Sequence, residues 1–464
     1  MNKNKIAFSL VAVVVIAIAV FLSIPNQEEI QDTELGHRHF IADFDYMIAA
    51  MEESFPFFGV TYRMLGFDIH ELAAEVRVGL VNNPNMDGLD FARYISENFI
   101  MPFEHLAHID LLPFDAFYYF DLNFNTVDPY FFGNPLATFT NPDFEFEPLR
   151  FPINPDTLVF EREMIETYIL EEGRIAYINF PTLSHIFIPH FQHDLMRSTV
   201  FDFIASLEGY EHLIVDIRET HGGYLGGFVN SIIRPNIDEP HQNIGFAFHT
   251  AGSHPMFVAE LHKFRNPAIQ FQYLIYYPEE MSAADLLQAA LRRFAETAHT
   301  PNEFVNNMID PDAEFERTTA AEIVEQYNLV YMNQEDLTNL AYGFRVRTHV
   351  APDLTAPAFG GQIWLLTAPN NFSASEAVAR LAKDTGVAIL VGETTGGAVG
   401  GGATSQIRLP NTSLILRWDT IYFTDSYGRA LEEIRTTPHF KNRPDLDALE
   451  TVLDIINEIS EIAE

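Results

Sequence analysis

Three stretches of this sequence carry residues whose types and spacing suit acyl transfer. The first is Asn371-Phe372-Ser373-Ala374-Ser375-Glu376, between an apolar run and an amphipathic helical pattern. Ser-x-x-Glu at such a junction reads as a helix capping box, with Ser373 accepting an N–H and Glu376 reaching back. The same placement suits a nucleophile, because the first N–H groups of a helix have no intrahelical acceptor. Those donors can stabilise an oxyanion if the serine attacks a carbonyl. The Gly-x-Ser-x-Gly signature of strand-turn-helix hydrolases is absent.

The second stretch is Asp216-Ile217-Arg218-Glu219-Thr220-His221-Gly222-Gly223. Paired glycines after a buried strand either serve a tight turn with positive φ or bring bare N–H groups close to a ligand. The third is Val391-Gly392-Glu393-Thr394-Thr395-Gly396-Gly397, followed by Gly400-Gly401-Gly402. No Lys follows and the phosphate-loop spacing is wrong, which argues against a nucleotide cradle. A neutral serine is a poor nucleophile and needs a base. Phe103-Glu104-His105-Leu106-Ala107-His108 offers two histidines three residues apart. Either could serve; the bland alternative is two partly exposed residues at a helix end. With no cysteine in the chain and no clear third ligand, no metal site is expected.

The elements that must position these residues follow from periodicity. Phe40, Phe44, Met47, Ile48, Met51 and Phe55 share a face, and a second helical pattern covers 86–101. Residues 110–160 are rich in Phe, Tyr, Asn, Asp and Pro, with turns at Gly133-Asn134-Pro135 and Asn141-Pro142-Asp143, and suggest short strands and loops. From residue 165 strands alternate with helices: strands at 174–180, 212–217, 362–367 and 387–391, helices near 190–207 and 374–383. That alternation suggests crossover units in one sheet. The stretch of about 240–355, with helical parts at 281–298 and 319–328, reads as an insertion or lid. The resulting division is an N-terminal segment (1–26), a helical subdomain (27–109), a β-rich segment (110–164) and an α/β core (165–464) holding that insertion.

Composition narrows the function. The 464 residues contain 27 Lys and Arg against 65 Asp and Glu, a net charge of −38. A surface this acidic repels phosphate, so nucleic acid is not an expected partner. No cysteine means no disulfides, no thiolate nucleophile and no lipidated Cys. Lys3 and Lys5 precede an uncharged run from Ile6 to Ile24, and Glu28, Glu29, Asp32 and Glu34 follow it. Nineteen residues at ~1.5 Å each approach the bilayer hydrocarbon thickness. The charge asymmetry predicts a signal-anchor that crosses the membrane at 6–24 and leaves the rest outside the cytoplasm. A cleaved signal peptide is the competing reading, although no small-x-small site follows the run.

Taken in order, the motifs resemble the tail-specific (C-terminal processing) serine peptidase family, which includes the tricorn protease and the interphotoreceptor retinoid-binding protein. The likeness runs through Asp-Ile-Arg-x-Thr-x-Gly-Gly, Ser-Ala-Ser-Glu and Gly-Glu-Thr-Thr-Gly-Gly, then Gln406-Ile407-Arg408-Leu409-Pro410 and Gly428, Glu432 and Pro438. It spans most of 165–445. The resemblance implies a crotonase-like α/β core with a helical N-terminal part, no cofactor, and a peptide or protein substrate. It makes Ser373 the nucleophile. Bacterial processing peptidases pair that serine with a downstream Lys; the matching position is Ala398, and no Lys lies in 384–440. The tricorn-like branch uses a His oriented by a Glu. By that likeness His108 is the base, with His105 as the alternative, and Glu432 holds the imidazole, with Glu433 one residue away. Ala107 stands where tricorn has a serine, Arg435 replaces a Gly and His439 an Asp. Gly222 or Gly223, with Ala374, would supply the oxyanion N–H groups. The expected activity is serine-type peptide hydrolysis; the alternative is a non-catalytic ligand- or peptide-binding protein on the same fold.

Overall fold

The computed structural model describes residues 36–112, 165–181, 183, 190–223, 225–252, 318–397, 404–412 and 414–463. The expected span at 6–24, the β-rich segment beyond residue 112 and the helix at 281–298 lie outside these residues. No helix among the described residues is long and apolar enough to cross a membrane.

Helical periodicity at the start of the described chain yields α1 (His37–Ser54), α2 (Phe58–Leu65), α3 (Ile69–Val81) and α4 (Gly88–Ile95). The carboxylates of Asp68 and Asp87 cap α3 and α4 by accepting first-turn N–H groups. After α4 the chain forms one wide turn, Ser96–Ile100, and one tight turn, Met101–Phe103, then enters strand β1 (Asp110–Leu112). Phe40, Phe44, Met47 and Met51 put the apolar face of α1 into the core.

The remaining elements are β2 (Glu166–Glu171), β3 (Ile175–Asn179), α5 (His190–Ser206), β4 (His212–Asp216), β5 (His241–His249), α6 (Ala320–Tyr327), α7 (Gln334–Asn339), β6 (Tyr342–Val350), β7 (Gln362–Thr367), α8 (Ala374–Asp384), β8 (Ala388–Gly392), β9 (Thr404–Arg408), β10 (Ile415–Asp419), β11 (Ile421–Thr424), α9 (Leu431–Ile434), β12 (Phe440–Lys441) and α10 (Ala448–Ala463). One mixed sheet has the order β12-β8-β7-β4-β3-β2, parallel throughout except for β2 against β3. Alternate residues of its strands face opposite ways. Ala176, Ile178, Leu213, Val215, Leu365 and Leu390 pack with α5 and α8, while Ile175, Ile214, Trp364, Leu366 and Val391 pack with α10. Strands buried on both faces read as near-continuous apolar runs, which is why these were visible in the sequence.

Two further antiparallel sheets, β1-β10-β9 and β11-β5-β6, share a core with the N-terminal helices. Only Thr420 separates β10 from β11, so the chain passes directly from one sheet to the other. The two described ends of the 240–355 stretch, β5 and β6, pair along nine residues each, and β5 also pairs with β11. Asp43 of α1 is fully buried and accepts hydrogen bonds from the Asn411 and Thr412 N–H groups and from both their side chains. The turn between β9 and β10 is thereby fastened to the first helix.

Candidate active site

The parallel strands end level with one another. Asn179 pairs with Asp216, Asp216 with Leu366, and Leu366 with Val391. Ligands of open α/β sheets bind beyond such carboxyl ends, and three of the candidate motifs leave the sheet here. At the exit of β4, Asp216 accepts hydrogen bonds from Tyr177 Oη, from the Arg218 N–H and from the Arg218 guanidinium. Arg218 also reaches Asp447. These bonds hold the turn that leads to the glycine pair. Asn371, fully buried, donates to the carbonyls of Ile217 and Thr220 and accepts the Ala368 N–H. It staples the glycine loop to the serine turn.

Ser373 occupies a strained backbone conformation, φ 58° and ψ −124°, between β7 and α8. Such geometry costs a non-glycine residue on the order of 1–3 kcal/mol and concentrates at functional positions. The expected capping box does not form. A helix N-cap needs an extended backbone, and Ser373 has none. Its N–H instead donates to Gly397 O at 2.9 Å, and its side chain makes no cap bond. Glu376 turns away into a fully buried network, accepting from Thr436 Oγ1 at 2.6 Å, from Thr395 Oγ1, from the Gly397 N–H and from Arg380. The Ser373 hydroxyl is left uncommitted among the described residues.

Gly222 packs directly on this turn. A Cβ there would lie 2.9 Å from Phe372 O, 3.0 Å from Ser373 Cβ and 3.5 Å from the Ala374 nitrogen, and φ is 117°. Only glycine fits. Ala374 opens α8, so its N–H has no intrahelical acceptor. Gly223 also has positive φ, at 125°, and bridges to Leu183.

The histidine segment is equally unusual. Eight described non-glycine residues have positive φ; Glu104, His105, Ala107 and His108 are four of them, and Ser373 and Arg435 are two more. His108 is buried, and its Nδ1 lies 2.8 Å from Asp419 Oδ2. Sheet register explains the pairing. Asp110 stands opposite Arg417 in the antiparallel β1–β10 ladder, so continuing two residues sets His108 opposite Asp419. Burial acts to lower the His108 pKa, but the charge and hydrogen bond of Asp419 outweigh it, and the imidazole titrates above its ordinary range.

The family likeness puts Glu432 on the His108 imidazole. It lies beside it but serves another group: Glu432 Oε1 accepts the Ala107 N–H at 3.0 Å, because the left-handed turn at 104–108 points that N–H toward α9. Burial pushes the Glu432 carboxyl up to about 7, against the Ala107 hydrogen bond. Glu433 faces outward and pairs with Arg63 of α2, which also holds the buried Asp336. His105 is exposed and stacks on Phe372 at 5.6 Å between ring centroids, with 10° between planes. The His108 and His221 rings lie 6.1 and 6.2 Å from the same phenyl ring. Three imidazoles thus surround the residue that precedes Ser373. Asp419 is the site residue that sequence reasoning missed: no motif surrounds it, and only the register of a strand three hundred residues from His108 places it. No group of His, Asp or Glu able to hold a metal occurs among the described residues.

The profile of Peptidase family S41 matches residues 174–442, more than half of the chain, and the chain belongs to that family. No curated protein matches the sequence. Among solved structures, a mutant of CPAF with one serine changed to alanine is 12% identical, with a TM-score of 0.53 over 91% of this chain and 96% of that one. Mature CPAF is also 12% identical, with a TM-score of 0.52 over 87% and 92%. At this identity the likeness is one of fold: a mixed α/β architecture of the kind S41 proteases have.

Proposed function

We propose that the chain is a serine peptidase that works outside the cytoplasm, tethered through residues 6–24, and that its sheet is a crotonase-like core. The steady advance of the strand order across the sheet supports the latter. In this reading Ser373 Oγ attacks the scissile carbonyl and passes its proton to His108 Nε2. With the other ring proton on Nδ1, facing Asp419, Nε2 is the free acceptor. The N–H groups of Gly222 and Ala374 receive the oxyanion, with Gly223 next in line. His108 then protonates the leaving amine, and water releases the acyl group by the same path. Asp419 supports the imidazolium that forms at each step. Glu432 acts on the backbone, holding the turn that presents His108.

The observation that carries this reading is Ser373 itself: a strained serine between a buried strand and a helix, with a hydroxyl uncommitted among the described residues and Gly222 against its Cβ. A fluorophosphonate probe should label the parent and not Ser373→Ala. A folded parent that resists the probe would remove the peptidase reading. Protease added to intact cells should digest the chain beyond residue 26; protection would place it in the cytoplasm instead.

A further inference from the structure

Arg435 is a cation beside the candidate site that makes no ion pair among the described residues. It follows α9 with φ 27° and ψ 166°, a backbone geometry that L-residues rarely adopt. Its neighbour is clamped: the Thr436 N–H donates to Thr395 Oγ1 at 2.8 Å, Thr436 Oγ1 donates to Glu376, and Thr436 O accepts the Thr395 N–H. The clamp fixes where the Arg435 side chain starts. That side chain lies across Gly397, with Nε 3.3 Å from where a Cβ on Gly397 would sit. Gly397 is the residue whose carbonyl accepts the Ser373 N–H, so the guanidinium packs on the serine's own hydrogen-bond partner.

The Arg435 Nε is buried and has no hydrogen-bond partner among the described residues. Arg380 and Arg417 share that feature, but their terminal nitrogens pair with Glu376 and Asp110. Arg435 makes no ion pair among the described residues, although acidic residues outnumber basic ones 65 to 27 in this chain. Its charge reaches Glu432, yet the Glu432 carboxylate accepts its hydrogen bond from the Ala107 N–H. A half-buried guanidinium with unfilled donors suits a planar, bidentate carboxylate. In a chain of net charge −38, carboxylates are otherwise repelled, so a local cation is needed to admit one.

We propose that Arg435 is a specificity-determining residue that binds a carboxylate of the peptide substrate close to the scissile bond. The carboxylate belongs either to an acidic side chain or to a free C-terminus. This rests on the peptidase reading above. The guanidinium orients the chain and takes no part in bond breaking.

Three peptides of one sequence test it: one with an internal Glu and an amidated end, one with Gln and a free C-terminus, and one with Gln and an amidated end. The parent should cleave one carboxylate peptide ~10–100-fold better in kcat/KM than the neutral one. Whichever peptide carries the preference identifies the source of the carboxylate. Arg435→Gly, which relieves the backbone, should abolish the preference, so that the variant cleaves all three peptides alike. Arg435→Lys should keep part of it. Equal cleavage of all three peptides by the parent, a preference that survives Arg435→Gly, or labelling without cleavage of either carboxylate peptide overturns the proposal and leaves the serine's reactivity standing. A parent that neither labels nor cleaves removes the underlying reading as well.

Discussion

Ser373 and His108 reach the candidate site by different physical routes. Ser373 stands at the end of a parallel strand, and its surroundings come from loops that leave neighbouring strands at one level. Backbone hydrogen bonds and the Asn371 and Glu376 networks hold it. His108 stands at the end of a helical region, in a run of left-handed residues, and depends on carboxylates from β10 and α9. The serine side is rigid because the sheet already fixes it. The histidine side is assembled where three separate parts of the chain dock, and each docking rests on a few buried polar bonds. Buried carboxylates in such places tie position to protonation.

The sharpest break in this comparison is Ser373→Ala, which should lower peptide kcat/KM by ~10⁴-fold or more with little change in Tm. A smaller loss, measured with the same peptide, would mean the hydroxyl is not the nucleophile. Next come the two acids of the histidine side. Asp419→Asn should cost ~10³–10⁴-fold, because an amide no longer holds the proton on Nδ1, whereas Glu432→Gln should cost ~10-fold. Equal losses would show that Glu432 acts on the imidazole after all. In the parent, kcat/KM should rise with pH through a midpoint above the ordinary imidazole value, since the base must be neutral and Asp419 raises its pKa. Asp419→Asn should move that midpoint down; an unmoved midpoint would sever the pair.

On the serine side, Gly222→Ala should lower kcat by ~10²-fold, because the methyl meets Phe372 O and Ser373 Cβ and φ is 117°. Fastening of the acid-bearing hairpin is tested by Asp43→Ala, which strands several buried donors and should cost ~3–4 kcal/mol in urea unfolding. A separate effect is expected in stability against pH. The Glu432 pKa is raised in the folded chain to about 7, so folding favours its protonated form. Its contribution is fully present below about 4.5 and is lost as pH rises through 7. Glu432→Gln should therefore match the parent at low pH and exceed it by ~2–3 kcal/mol at pH 8. A stability difference independent of pH would show that burial does not govern this carboxyl.

The two sides also differ in how far the sequence disclosed them. Strands at 212–217, 362–367 and 387–391 and the helix at 374–383 fall within a residue or two of the observed elements, because doubly buried strands and an amphipathic helix are local patterns. The pattern expected over 86–101 does start with a capped helix, but it ends in wide and tight turns that no periodicity announces. The 240–355 stretch reads as an insertion or lid; in the fold its described ends, β5 and β6, pair with each other and β5 with β11. Long-range antiparallel pairing leaves only weak two-residue alternation in a sequence, too little to assign partners. Glu432 and Glu433 look alike as letters; Arg63, from a distant helix, separates the inward one from the outward one.

By itself the sequence determined which backbone must be bare at the glycine loops, which strands are buried on both faces, and that Ser373 lies between a strand and a helix. Each of these is written in neighbours a few residues apart. Tertiary structure alone decided that Ser373 is strained instead of capped, that Asp419 stands on His108, and that Glu432 holds a backbone N–H. Those outcomes depend on register between segments hundreds of residues apart and on which carboxylates folding removes from water, and neither quantity is encoded locally.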